Sequence, residues 1–200
     1  MAMSTTLIIF LVVSLIIVLY LVGIYNKLVA LRNRLKNAFA QIEVQLKRRH
    51  DLIPNLVEIA KKYMDHENST LKAVTEARSG AQNALEKAAL DPTDANVIKN
   101  LTQAEGVLNK SLGQFNMVME AYPDLKASQN MIQLSEELTS TENKVSFARQ
   151  AYNDEVMVYN TYKQSFPQVF IAGALGHGAD SPMLEFEDSK EIQNAPKITF

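Results

Sequence analysis

The side chains in this chain best suited to proton transfer or metal binding are three histidines and their acidic neighbours. His50 stands beside Asp51, His66 between Asp65 and Glu67, and His177 in a glycine-rich stretch. General acid–base chemistry needs two such groups within hydrogen-bond reach of one reacting atom, and a metal needs three or four ligands converging on a point. Adjacent residues on a helix project in different directions, so neither His–acid pair is arranged to share a site. The histidines are therefore expected to be exposed or hydrogen-bonded rather than catalytic. Glu136–Glu137, Asp154–Glu155 and the EFED of residues 185–188 read as solvated faces. There is no cysteine, hence no disulfide, thiolate nucleophile or thiolate metal site. Glycine-rich phosphate loops, HExxH and GxSxG are missing as well. The expectation is a protein without enzymatic activity, cofactor or metal.

Charge gives a second kind of site. KRRHDLIPNLV, residues 47–57, puts Lys47, Arg48 and Arg49 in a row, with Pro54 close behind, inside an otherwise helical pattern. Residues 27–63 carry nine Lys and Arg against Glu43, Asp51 and Glu58, while the whole chain has a net charge of −2. That balance argues against general nucleic-acid binding and for contact between a basic stretch and acidic surfaces elsewhere.

The elements that must position these residues begin with a membrane segment. Leu7–Ile24, LIIFLVVSLIIVLYLVGI, is eighteen residues without a charge, or roughly 27 Å of helix, close to the thickness of a hydrocarbon core. MAMSTT has no basic n-region, and no small-x-small cleavage site closes the run, so an uncleaved anchor is expected. Lys27, Arg32, Arg34 and Lys36 follow it and read as orientation and headgroup anchors. They predict residues 1–6 outside, 7–24 across the bilayer, and the rest in the cytoplasm. Lys47–Arg49 lie about 30–40 Å beyond the span on a continuous helix, more than a Debye length from the bilayer. They are better suited to a charged contact within or between bundles.

Residues 25–166 read as a bundle of three or four long helices, an all-α fold in which the first helix continues the span. The second helix starts near Ser69 or Thr70 and ends at Leu90, DPTD caps the next start, and a third runs from about Asp94 to Ala121. Ile98, Leu101, Leu108, Leu112 and Phe115 hold a heptad there, with Glu105 as its exception. In the last helix Leu138, Val145, Tyr152 and Tyr159 fall at strict sevens, a seam better packed inside a bundle than as an autonomous coiled coil. Pro54 is expected to bend the first helix. Residues 167–200 form an irregular tail too apolar to be a linker, with Phe170, Ile171, Phe186 and Phe200 as candidate groups for docking on its own bundle, a neighbouring subunit or the membrane surface; its acidic surplus disfavours anionic lipid and favours a basic protein surface.

One ordered string goes further than spacing. YNKLVALRNRLKNAFAQIEVQLKRRHDLIPNLVEIAKKYMDHE, residues 25–67, directly after an amino-terminal span, resembles the LemA family. TLKAVTEAR, AYPDLKA, ARQAYNDEVMVYN, FPQVFIAGALG and APKITF follow in the family's order, whereas GALGHGADSPMLEFED departs from its usual more aromatic and basic tail. The resemblance implies a single-span membrane protein with an inward helical bundle and no established activity. Relatives are associated with membrane zinc metalloproteases, stress functions or the forming of internal membranes. The expected function is thus a membrane-anchored scaffold that self-associates, in a ring where the rotation closes, and organises or remodels the bilayer. The alternative is an adaptor or regulatory subunit of a membrane protease or sensor complex.

Overall fold

The computed structural model describes residues 2–64 and 66–185, and among them the regular structure is entirely helical. Helix α1, Ala2–Lys61, runs as one element from the apolar segment into the bundle. The large apolar side chains from Leu7 to Val22 are exposed along it, as expected where lipid is the solvent, and this helix is long and apolar enough to cross a bilayer. Burial begins at Ile24 and Leu28, so the bundle starts where the apolar segment ends, with no intervening linker.

Helix α2 is Asn68–Leu90, α3 is Ala95–Met119, α4 is the single turn Pro123–Lys126, and α5 is Gln129–Gln164. Each boundary has a local cause. Asp94 caps α3 by accepting from the Asn96 amide at 2.7 Å, so it stands just before the helix rather than inside it. Pro123 opens α4, where a missing amide donor costs nothing. The strongest pairing is antiparallel, α1 against α5, with α2 and α3 forming a shorter hairpin packed on them.

The core divides along the rod. Near the span, Leu28, Leu31, Leu35, Phe39 and Ile42 of α1 meet Val145, Tyr152, Val156 and Tyr159 of α5. At the far end, Ile53, Leu56, Val57 and Ala60 meet Leu71, Val74, Leu108, Leu112, Phe115 and Met131. Small residues Ala77, Ala81 and Ala88 on α2 are buried, which lets the helices approach closely. The seven-residue seam faces inward: Val145, Tyr152 and Tyr159 are buried and Leu138 packs on the distal core.

The tail packs where the α2–α3 hairpin ends. Ala172 and Leu184 are buried, and Ile171 and Leu175 lie against the same core. Phe170 is different: it is 76% exposed and does not pack on its own bundle. A short 3-10 turn, Gln168–Phe170, aims its ring outward, and the smaller Ala172 takes the buried place. Phe186 and Phe200 lie outside the described residues.

Candidate functional site

Sequence spacing made Glu105 an interruption in an apolar stripe, and it proves to be the centre of a buried ionic cluster. Glu105 is fully buried on α3; its Oε2 accepts from Arg49 Nη1 at 3.1 Å and its Oε1 from His50 Nε2 at 2.8 Å. A carboxylate only accepts, so the imidazole donates through Nε2. Arg49 is 4% exposed and His50 1%. Arg49 also donates to Asn109 Oδ1 and to Glu142 Oε1, the latter at 3.3 Å. Two adjacent residues of α1 thus converge on one acid, whereas Asp51, the acidic neighbour of His50, faces Arg78 instead. The arginine's length closes the angle that backbone geometry opens.

The run of three cations separates into three fates. Lys47 pairs with Glu43 one turn back at 2.5 Å, and that hydrogen bond raises the ammonium's pKa above its ordinary value. Arg48 reaches Glu137 on α5 at 2.7 Å at the exposed surface. Arg49 alone enters the core. Both arginines therefore bond within their own chain.

Pro54 belongs to the same construction. It has no amide hydrogen, so the carbonyl of His50, four residues earlier, loses its helical donor. Arg78 of α2 supplies one instead, with Nε 2.7 Å from that carbonyl and Nη2 3.8 Å from Asp51. Helix α1 continues through Pro54 to Lys61, and the proline frees an acceptor onto which α2 docks.

Beside the cluster, an open cavity of about 300 Å³ lies between α1, α3 and α5, lined in part by Arg49, Asn109, Asn116, Glu142, Ser146 and Arg149. Glu105 and His50 do not line it, so this buried imidazole–carboxylate pair is closed off from any substrate that could enter there. Among the described residues no group of three His, Asp or Glu side chains is placed to hold a metal.

A second polar construction holds the tail. Tyr152–Asn153 and Tyr159–Asn160 repeat one dipeptide at seven residues, and each half has its own task. The rings enter the core, with Tyr152 edge-on to Phe39 at 5.6 Å between centroids. The Tyr152 hydroxyl lies 2.9 Å from Pro92 O and 3.0 Å from Pro182 O, joining the α2–α3 turn to the tail. Asn153 pairs with both backbone groups of Leu184, and Asn160 with both of Ser181, at 2.9–3.2 Å. Burial raises the pKa of Tyr159 and lowers that of His177, the latter helped by Arg32 and Lys163. Both shifts favour neutral forms, and the phenol oxygen and His177 Nδ1 share a hydrogen bond of 2.7 Å.

The juxtamembrane cations divide likewise. Arg32 donates to Thr93 Oγ1 at 3.3 Å and Arg34 pairs with Glu155 at 2.7 Å, whereas Lys27 and Lys36 are exposed.

Comparison with known proteins supplies the family. Residues 38–200 match the model of the LemA family. The chain belongs to the LemA family. Protein LemA of Metamycoplasma hominis is 28% identical over 145 residues, 72% of this chain and 62% of that protein. The chain therefore spans less than two thirds of that LemA relative. The magnetosome protein MamQ of Magnetospirillum gryphiswaldense is 21% identical over 190 residues, covering 88% of this chain and 68% of its own. As a LemA protein with a bilayer-length apolar helix, the chain is a membrane-associated helical protein, and none of these matches names a catalytic family.

Proposed function

We propose that this protein is a membrane-anchored, non-enzymatic scaffold. Its amino terminus lies outside, its bundle lies in the cytoplasm, and neighbouring bundles associate to organise the bilayer around them. The observation that carries this reading is the continuity of α1 from the apolar segment to the distal core. A helix shared by span and bundle transmits any lateral contact between bundles directly to the membrane. Similarity to a magnetosome protein supports a role at a membrane.

Arg48 and Arg49 are taken by carboxylates of their own chain, so association must use another surface. Phe147 is 75% exposed, and Val158, eleven residues on, is also exposed. Eleven residues are close to three turns, which sets both on one stripe of α5. Exposed apolar side chains gathered on one helix face, here with Ala151 between them and Asp154 beside them, support a contact surface. Light scattering on detergent-purified protein over a range of concentrations tests the reading. The expected result is an oligomer that shifts towards monomer in a Phe147→Ser, Val158→Ser variant. A monomer at every concentration would refute self-association. Co-purification of one stoichiometric foreign protein, lost when residues 186–200 are removed, would favour an adaptor instead. That truncation keeps Leu184 and the asparagine contacts.

A further inference from the structure

Antiparallel packing fixes what lies at the membrane end of the bundle. Arg34 meets Glu155 and Phe39 meets Tyr152, so stepping back along α1 from Arg34 to Tyr25 advances α5 from Glu155 to Gln164. Phe166 then stands level with the last turn of the apolar segment. The return of the chain agrees with this level: His177 contacts Tyr25 with centroids 6.4 Å apart. The loop between Ser165 and Gly176 is therefore the part of the bundle nearest the bilayer.

Its composition suits that position. Residues 164–179, QSFPQVFIAGALGHGA, contain no Asp, Glu, Lys or Arg, and burial holds the His177 imidazole towards its neutral form. The flanking charges, Lys163 and Asp180, neutralise each other at 2.5 Å. Phe166 is 81% exposed, Phe170 76% and Val169 49%. The two phenyl rings meet edge to face at 6.0 Å, so the tip is a compact apolar knob. Tyr20 and Tyr25, both exposed on the adjacent turns of α1, belong to a residue type that settles at the headgroup level.

We infer that this loop is a second membrane contact: Phe166, Val169 and Phe170 insert into the interfacial layer of the leaflet beside the chain's own span. The inference rests on the membrane-anchor reading. Interfacial side chains reach about 5–10 Å into the headgroup and acyl boundary, a depth available to a knob at the level of the span's end. The contact fixes the rotation of the bundle about its span, which a single helix leaves free, and so determines which face of α5 is offered to a neighbour.

The chain has no tryptophan, which permits a direct test. Phe166→Trp, Phe170→Trp, Tyr20→Trp and Tyr63→Trp are each placed singly in the full-length protein and reconstituted in phosphatidylcholine vesicles with brominated acyl chains. Tyr20→Trp reports on the span. Tyr63 is exposed just past the distal end of α1, roughly 55 Å from the span's end and away from the α5 face proposed for association, and serves as the water-exposed control. Tryptophan at 166 and 170 is expected to emit at shorter wavelength than at 63 and to be quenched by roughly half or more, as bromines lie within reach of that depth. Emission at 166 and 170 as red and as unquenched as at 63, with Tyr20→Trp quenched, overturns the second contact and leaves the anchor intact. A blue shift without bromine quenching overturns it in favour of a protein surface covering the knob. An unquenched Tyr20→Trp removes the anchor itself, and the contact with it.

Discussion

Glu105 shows how strongly the surroundings of a charge decide its worth. Its carboxylate and the Arg49 guanidinium are both shielded from water, so removing one leaves the other uncompensated in a low-dielectric site. Glu105→Ala is expected to destabilise the bundle by about 3–5 kcal/mol in denaturant unfolding, and Arg49→Met combined with Glu105→Leu should recover most of that loss. Arg48 and Glu137 form a shorter pair at 2.7 Å, but their side chains are 55% and 43% exposed. Arg48→Ala is expected to cost no more than about 1 kcal/mol, and less in high salt. Equal losses for Arg48→Ala and Glu105→Ala would refute this assignment. The three-cation run was legible as a charged contact, because distance excluded the bilayer. Which cation goes inside was not, since adjacent letters carry no burial; the only clue was an acid standing where the α3 stripe required an apolar residue.

At the scale of elements, helices, turns and the inward seam follow from periodicity and capping, which are local and therefore readable. What joins one element to another is not local. Nothing in the spacing of Pro54 announces that it leaves the His50 carbonyl to Arg78 of α2. If that is the role of Arg78, its loss strands a polar group, at about 1–3 kcal/mol. In a Pro54→Ala background the amide of residue 54 becomes the donor, and Arg78→Met should cost measurably less. A double-mutant cycle reads the difference directly, and additive losses would show that the carbonyl contact contributes nothing. The tail's attachment was legible only as a need to bury apolar groups; the large Phe170 was the natural choice, whereas the chain buries Ala172 and Leu184 and clamps the backbone with Asn153 and Asn160. His177 makes that attachment pH-dependent. Its folded pKa lies below the ordinary 6.5 because of burial first, then Arg32 and Lys163. Its contribution is complete above pH 6.5 and declines as pH falls from there through the lowered folded value, where the unfolded chain takes up a proton that the folded one refuses. The melting temperature should fall between pH 7 and 5.5, and His177→Gln should flatten that slope relative to the parent. His50 and His66 are common to both proteins and cancel in the comparison; parallel slopes would remove His177 from the account.

For the whole molecule the decisive quantity is the angle between bundle and bilayer. α1 carries the span and one wall of both cores, with burial starting at Ile24 and continuing to Ala60, so the bundle cannot lie down on the membrane without breaking a helix packed along its length by α5. The thirty-seven residue steps from Ile24 to Lys61 rise about 55 Å, so the α1–α2 turn should stand near that height above the headgroups. The chain has no cysteine, and the exposed position Asn68 accepts a single label as Asn68→Cys. Energy transfer from that label to an acceptor confined to the lipid surface should be weak in the parent protein. Inserting two glycines after Gly23, where packing has not yet begun, releases the bundle from the direction of the span and should raise the transfer. Strong transfer in the parent would mean that the rod lies flat or folds at Pro54. Lys47 and Arg48 would then come within reach of anionic headgroups, the arrangement that the length of α1 otherwise excludes.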